Sequence, residues 1–139
     1  MKISKYLSLA EVITSQAAIR LGIDNRPTPA VSANLKLVAA KVFDPMREAL
    51  GKPIRVSSGY RSPAVNKKIG GAKNSQHTTG EALDLQGMEG LKNSEIFKYI
   101  KTNLDFDQLI WEYGTTTEPA WVHVSYKKTG NRKQILTIK

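Results

Sequence analysis

The chain has 139 residues, 40% hydrophobic and 24% charged, a length and balance that fit one folded domain and exclude a disordered chain or a fibre. It contains no cysteine, which excludes disulfide staples, a thiolate nucleophile and any cysteine-ligated zinc or iron–sulfur centre. Twenty-one Lys and Arg against twelve Asp and Glu give a net charge of +9, which attracts anionic partners such as nucleic acid, anionic membrane or bacterial wall polymers.

The opening Met1-Lys2-Ile3-Ser4-Lys5-Tyr6-Leu7 is basic, but Ser8 and Glu11 interrupt the apolar stretch before it reaches the length of a signal-peptide core. The expectation is a product that accumulates in the cytoplasm and reaches a cell wall only through a separate lysis or export system. No apolar run approaches the roughly 20 residues of a membrane-spanning helix, so no membrane insertion is expected. Ser8-Leu9-Ala10-Glu11 reads as a capping box that opens a helix with Leu9, Val12, Ile13, Ala17 and Leu21 on one face and Gly22 as its stop. After a Pro-containing connector over 24–30, Leu35, Val38, Ala39, Val42, Phe43, Met46, Ala49 and Leu50 recur at helical steps until Gly51. Pro45 lies inside this pattern and is expected to kink or split the helix near Asp44.

Ile54 and Val56 alternate with polar neighbours in a short strand that ends at Ser57-Ser58-Gly59. Ser62-Pro63 starts a short helical turn closed by Gly70-Gly71. A second strand is predicted over 82–85 and a helix over 93–102, with Ile96, Tyr99 and Ile100 inward. Three further strands are predicted over 107–113, 121–126 and 134–138, at the spacing of an antiparallel meander. Helices first and strands later make an α+β domain over residues 1–139: N-terminal helices packed on a small, mainly antiparallel sheet. A monomer is expected.

Both histidines, His77 and His123, sit in loop-to-strand contexts dense in small polar residues, away from any apolar helix face. Asp84 follows His77 by seven residues, and Thr78-Thr79-Gly80 between them permits a sharp turn. The strand period of two puts Asp84 with Ala82 and Gln86, and His123 with Trp121 and Ser125. If the two strands pair, those faces meet. Two histidines and one carboxylate with a fourth position open are the ligand set of a hydrolytic zinc site. Spacing alone is equally compatible with solvated loop residues.

Ser75-Gln76-His77-Thr78-Thr79-Gly80-Glu81-Ala82-Leu83-Asp84 carries every fixed position of the Ser-x-His-x-x-Gly-x-Ala-x-Asp signature of the zinc D-alanyl-D-alanine peptidases. Ser57-Ser58-Gly59-Tyr60-Arg61-Ser62-Pro63 upstream and Trp121-Val122-His123-Val124-Ser125 downstream occur in the same order. The chain therefore resembles the compact form of that family found in bacteria, phages and prophages, within the group that includes lysostaphin-type enzymes and the sonic hedgehog signalling domain. The resemblance implies that His77, Asp84 and His123 bind zinc, with a water as nucleophile, and that Arg61 holds substrate and the developing oxyanion. It implies a peptidoglycan stem peptide as substrate, cut as a D-Ala-D-Ala carboxypeptidase or as a lytic endopeptidase. A non-catalytic, zinc-containing wall-binding module is the alternative.

A general base is also required. Many relatives have an acidic residue three positions before the second histidine, where this chain has Ala120. Glu112, on the strand that precedes the His123 strand, is the preferred base; Glu118, in a Thr-rich, Pro-bounded turn, is the other candidate and reads otherwise as a surface carboxylate. Ser75 reads as a hydrogen bonder to substrate or ligands, since no separate histidine is free to activate it as a nucleophile. Gln108 and Ser125 read as strand-surface polar residues. Tyr60, Trp111 and Trp121 line a substrate groove or pack in the core with equal weight, and Tyr60 and Trp121 are taken as substrate-binding candidates. Lysines 67, 68, 73, 127, 128 and 133 with Arg132 form basic clusters on either side of the zinc motifs. No helix-turn-helix or aromatic platform marks a specific nucleic-acid binder.

Overall fold

The computed structural model describes residues 1–139. The expected capping box forms, with the Ser8 hydroxyl accepting from Glu11 N–H and the Glu11 carboxylate accepting from Ser8 N–H. The single N-terminal helix expected up to Gly22 is instead two, α1 over Leu9–Ile13 and α2 over Gln16–Leu21. Ser15 divides them: it takes extended geometry and its hydroxyl caps the Ala18 N–H, so local hydrogen bonding by Ser competes with helix continuation.

The next helix runs as α3 over Pro29–Val38, a π turn over Ala39–Phe43, and α4 over Asp44–Leu50. Pro45 has no N–H to complete the regular ladder, and the backbone widens before it, with Asp44 N–H donating to the Ala39 carbonyl five residues back. The disruption falls where the proline predicts it, as a change of helical register. One face buries Leu35, Val38, Val42, Phe43 and Met46. Asp44 turns the other way, and its carboxylate accepts from Ser4 Oγ and the N–H groups of Lys5 and Tyr6, tying the N-terminal segment to α4.

The remaining elements are β1 (Ile54–Ser58), α5 (Pro63–Lys68), β2 (Ala82–Gly87), α6 (Asn93–Asn103), β3 (Gln108–Glu112), β4 (Trp121–Ser125) and β5 (Gln134–Ile138). They complete an α+β fold whose sheet has the order β1-β2-β4-β3-β5. Leu83, Leu85, Leu109, Val122 and Val124 face the helices and form one core with Ile96 and Ile100 of α6. The opposite face carries Asp84, Ile110, Glu112 and His123.

The sheet departs from a simple meander. The edges of β4 are taken by β2 and β3, both antiparallel, so β5 adds to the outer edge of β3, parallel to it. Asp107 explains the direction. Wholly buried at the start of β3, its carboxylate accepts from Arg132 N, Nε and Nη2 and from Gln76 Nε2, while its carbonyl accepts from Gln134 N–H. The returning chain is thereby anchored at the end where β3 begins and must run alongside it. The Arg132 guanidinium holds the Asp107 carboxyl well below the usual carboxylate range. A depressed folded-state pKa stabilises the fold above the unfolded value of about 3.9, and that stabilisation is lost as pH falls further toward the folded value. Asp107→Asn is expected to lower the melting temperature at pH 7 and to flatten the acid limb below about pH 4; unchanged melting at both pH values would refute this role.

Candidate metal centre and catalytic face

Three chain segments build the site. β2 and β4 pair with Asp84 directly opposite His123, which brings their side chains together on one face. His77 arrives from the loop before β2, and two backbone features set its position. Gly80 has a φ of 78°, and a Cβ there would come within 2.8 Å of the Val31 carbonyl oxygen, so the signature glycine lets the loop turn sharply against α3. Ser75 Oγ accepts from His77 N–H, and Arg61 N–H donates to the His77 carbonyl, which ties this loop to the segment after β1. Gly59 in that segment has no positive φ; its requirement is space, because a Cβ would lie 2.3 Å from the Val12 carbonyl oxygen.

The histidines and the aspartate are 3%, 8% and 9% exposed, for His77, His123 and Asp84 respectively. His77 Nδ1 lies 2.7 Å from the Gly59 carbonyl, which can only accept, so Nδ1 carries the proton and Nε2 presents a lone pair. That lone pair faces Asp84 Oδ1 at 3.2 Å, and His123 Nδ1 faces the same oxygen at 3.0 Å. Acceptors crowded together in a buried place require a cation, either protons on the rings or a metal. The separations resemble the roughly 3.3 Å edges of a tetrahedron of N and O ligands around zinc, and the three donor atoms lie within 4.8 Å of one another. The set fits a zinc ion. Burial pushes the Asp84 carboxyl up, but with protons on both rings the hydrogen bonds from His123 and His77 outweigh it and hold it well below the usual range.

Around the trio is an open cavity of about 410 Å³ lined by Arg61, Ser75, Gln76, Glu112 and Trp121, among others. Glu112 Oε2 lies 3.9 Å from His123 Nδ1 and accepts a 2.8 Å hydrogen bond from Trp121 Nε1. Trp121 in turn tilts against Tyr113, with ring centroids 5.2 Å apart. Arg61 follows β1 into the cavity; burial pulls its pKa down, opposed by the charges of Asp84 and Glu112, and its Nε has no partner within the protein.

Other candidates lie elsewhere. Glu118 accepts from the N–H and hydroxyl of Ser94 at the start of α6, at 2.8 and 2.7 Å; the second candidate base is a helix-terminal acceptor and does not line the cavity. Glu118→Ala is expected to cost about 1 kcal/mol of stability through the lost cap, read by denaturant melts, while leaving metal content unchanged. Tyr60 is 4% exposed and packs with the hydrophobic core; it lines the groove beside β1 rather than the cavity around the histidines, with its N–H bonded to the Val12 carbonyl. Trp111 faces the helices, edge-on to Phe97. Ser125 is fully buried rather than a surface residue, and its Oγ accepts from Gln108 N–H.

Sequence reasoning missed two interactions that serve the site. One is the bond from Trp121 to Glu112. The other is the Asp107 carboxylate that holds Gln76, the residue beside His77 in the signature loop. Strand periodicity hinted at the first, since Trp121 shares a face with His123; nothing local marked the second.

A family model for peptidase M15 matches residues 5–125. The chain belongs to the peptidase M15 family. A zinc D-Ala-D-Ala carboxypeptidase of Streptomyces albus G is 48% identical over 50 residues, which make up 35% of this chain and 20% of that protein. The chain thus covers about a fifth of the length of the relative it matches. Among the six helices of this peptidase M15 member, none is long and apolar enough to cross a membrane.

Proposed function

We propose that the chain is a zinc metallopeptidase that hydrolyses peptide bonds in peptidoglycan stem peptides. The observation that carries this reading is the convergence of His77, Asp84 and His123 in one cavity with a carboxylate, Glu112, placed beside them. A structural zinc site is usually closed by four protein ligands, whereas three ligands leave room for a reactant. Membership of the peptidase M15 family and the name of the Streptomyces relative support the same chemistry.

His77 Nε2, Asp84 Oδ1 and His123 Nδ1 would hold the zinc. When bound, zinc polarises the scissile carbonyl and lowers the pKa of a water to about 7. Gly59 fixes the His77 tautomer by accepting its Nδ1–H. Glu112 receives the proton of the attacking water and returns it to the leaving amine nitrogen, and Trp121 positions it by binding Oε2. Arg61 places a fixed positive charge where the carbonyl oxygen becomes negative or where a substrate carboxylate docks. Ser75 orients the His77 loop and offers a hydroxyl at the cavity wall.

The test is mass spectrometry of defined peptidoglycan peptides incubated with the zinc-loaded protein, with a chelator-treated control. Chelator-sensitive cleavage is expected, and fragment masses separate loss of a terminal D-alanine from scission at an internal bond. Bound zinc without cleavage of any peptide would favour a wall-binding module.

A further inference from the structure

The catalytic cavity is not the largest concave surface. A groove of about 690 Å³ runs beside β1 between that strand and the α1–α2 corner, lined by Ala10, Thr14, Gln16, Ile54, Val56 and Arg61, among others. Arg61 lines this groove and the catalytic cavity alike, so the two meet at one residue. The groove also follows an unpaired strand edge, because β1 is an outer strand of the sheet. Met88 N–H donates to the Pro53 carbonyl, and the antiparallel register pairs Ile54 with Gly87 and Val56 with Leu85. The alternation of antiparallel hydrogen bonding therefore turns the N–H and C=O groups of Ile54 and Val56 outward, into the groove.

An outer strand with free main-chain groups at regular spacing binds another extended backbone. A peptide is the ligand class that offers such a backbone, and charge does not favour a polyanion here: the charged lining side chains are Glu11, Arg55 and Arg61. Resting on the peptidase reading above, we propose that the β1 groove is an extended subsite in which one arm of the peptide substrate lies along β1 as an added strand, with Arg61 at the junction between this arm and the bond being cut. The enzyme would then select substrates by length as well as by the residues at the scissile bond. Binding energy gathered far from the reacting atoms would appear in kcat/KM for long peptides and be absent for short ones.

The test compares peptides extended stepwise on either side of the cleaved bond, with wild type, Gln16→Trp and Ala10→Trp. Both substituted positions are exposed and line the groove, and neither belongs to the catalytic machinery. Wild type is expected to gain about tenfold or more in kcat/KM as one arm lengthens by three residues. The Trp variants are expected to lose that gain while cleaving the shortest substrate at the wild-type rate, with unchanged thermal melts. In parallel, hydrogen exchange is followed in the Glu112→Gln protein with the longest peptide added; slowed exchange at the amides of Ile54 and Val56 supports strand addition, and unchanged exchange overturns it. Absence of a length gain, or a gain that survives both Trp substitutions, also overturns the subsite. Failure to cleave any peptide counts against the peptidase reading instead, and the exchange experiment then decides the groove by itself.

Discussion

Replacing Asp84 or His77 by alanine is expected to remove zinc from the protein and reduce peptide hydrolysis to background, a loss of about four orders of magnitude or more. The size follows from what the metal is asked to supply: without it, neither an acidified water nor a polarised carbonyl is available near neutral pH. Asp84 has the greater leverage, since its Oδ1 lies against both His77 Nε2 and His123 Nδ1. His77→Ala leaves Asp84 and His123 paired across β2 and β4, so its fold should survive and its metal loss can be read directly. Metal content by mass spectrometry, with circular dichroism as the control for folding, checks both variants. A folded Asp84→Ala protein that retained stoichiometric zinc and hydrolysis would refute the assignment.

Glu112→Gln is expected to separate metal binding from turnover. Glutamine preserves shape and can still accept the hydrogen bond from Trp121 Nε1, but it cannot take a proton from water; a loss of about 10²- to 10⁴-fold in kcat is expected, with zinc content unchanged. Trp121→Phe tests whether Trp121 positions Glu112 for the proposed role of base. It keeps an aromatic ring against Tyr113 and removes the 2.8 Å bond to Oε2, so it should lower kcat by less than Glu112→Gln does, with little change in KM. Full activity in Glu112→Gln would transfer the role of base to another group.

The strand-end carboxylate and the helix-terminal one could not be told apart by composition or distance along the chain. Glu112 and Glu118 lie 11 and 5 residues before His123, so the nearer one in sequence is the one that caps a distant helix. What separates them is the β3–β4 pairing, which sets Glu112 opposite Trp121 on the face that carries His123. The same distinction applies to the aromatics. Tyr60 sits inside a recognisable motif beside Arg61, yet the structure packs Tyr60 against the core beside the β1 groove while Arg61 also reaches the cavity around the histidines.

Features set by neighbours in the chain were therefore legible from the sequence alone. The Ser8 capping box, the disturbance at Pro45, the strand at 54–58 and the α+β class each depend on hydrogen bonds, dihedral limits or side-chain periodicity over a few residues, while the His77 to Asp84 signature was legible through its resemblance to a family motif. The parallel addition of β5, the Asp107 anchor under the signature loop, the bond between Trp121 and Glu112 and the groove along β1 depend on which strand edges are already occupied and which buried charges must find partners. Those are competitions among segments far apart in sequence, and they are resolved only when the sheet closes over its core.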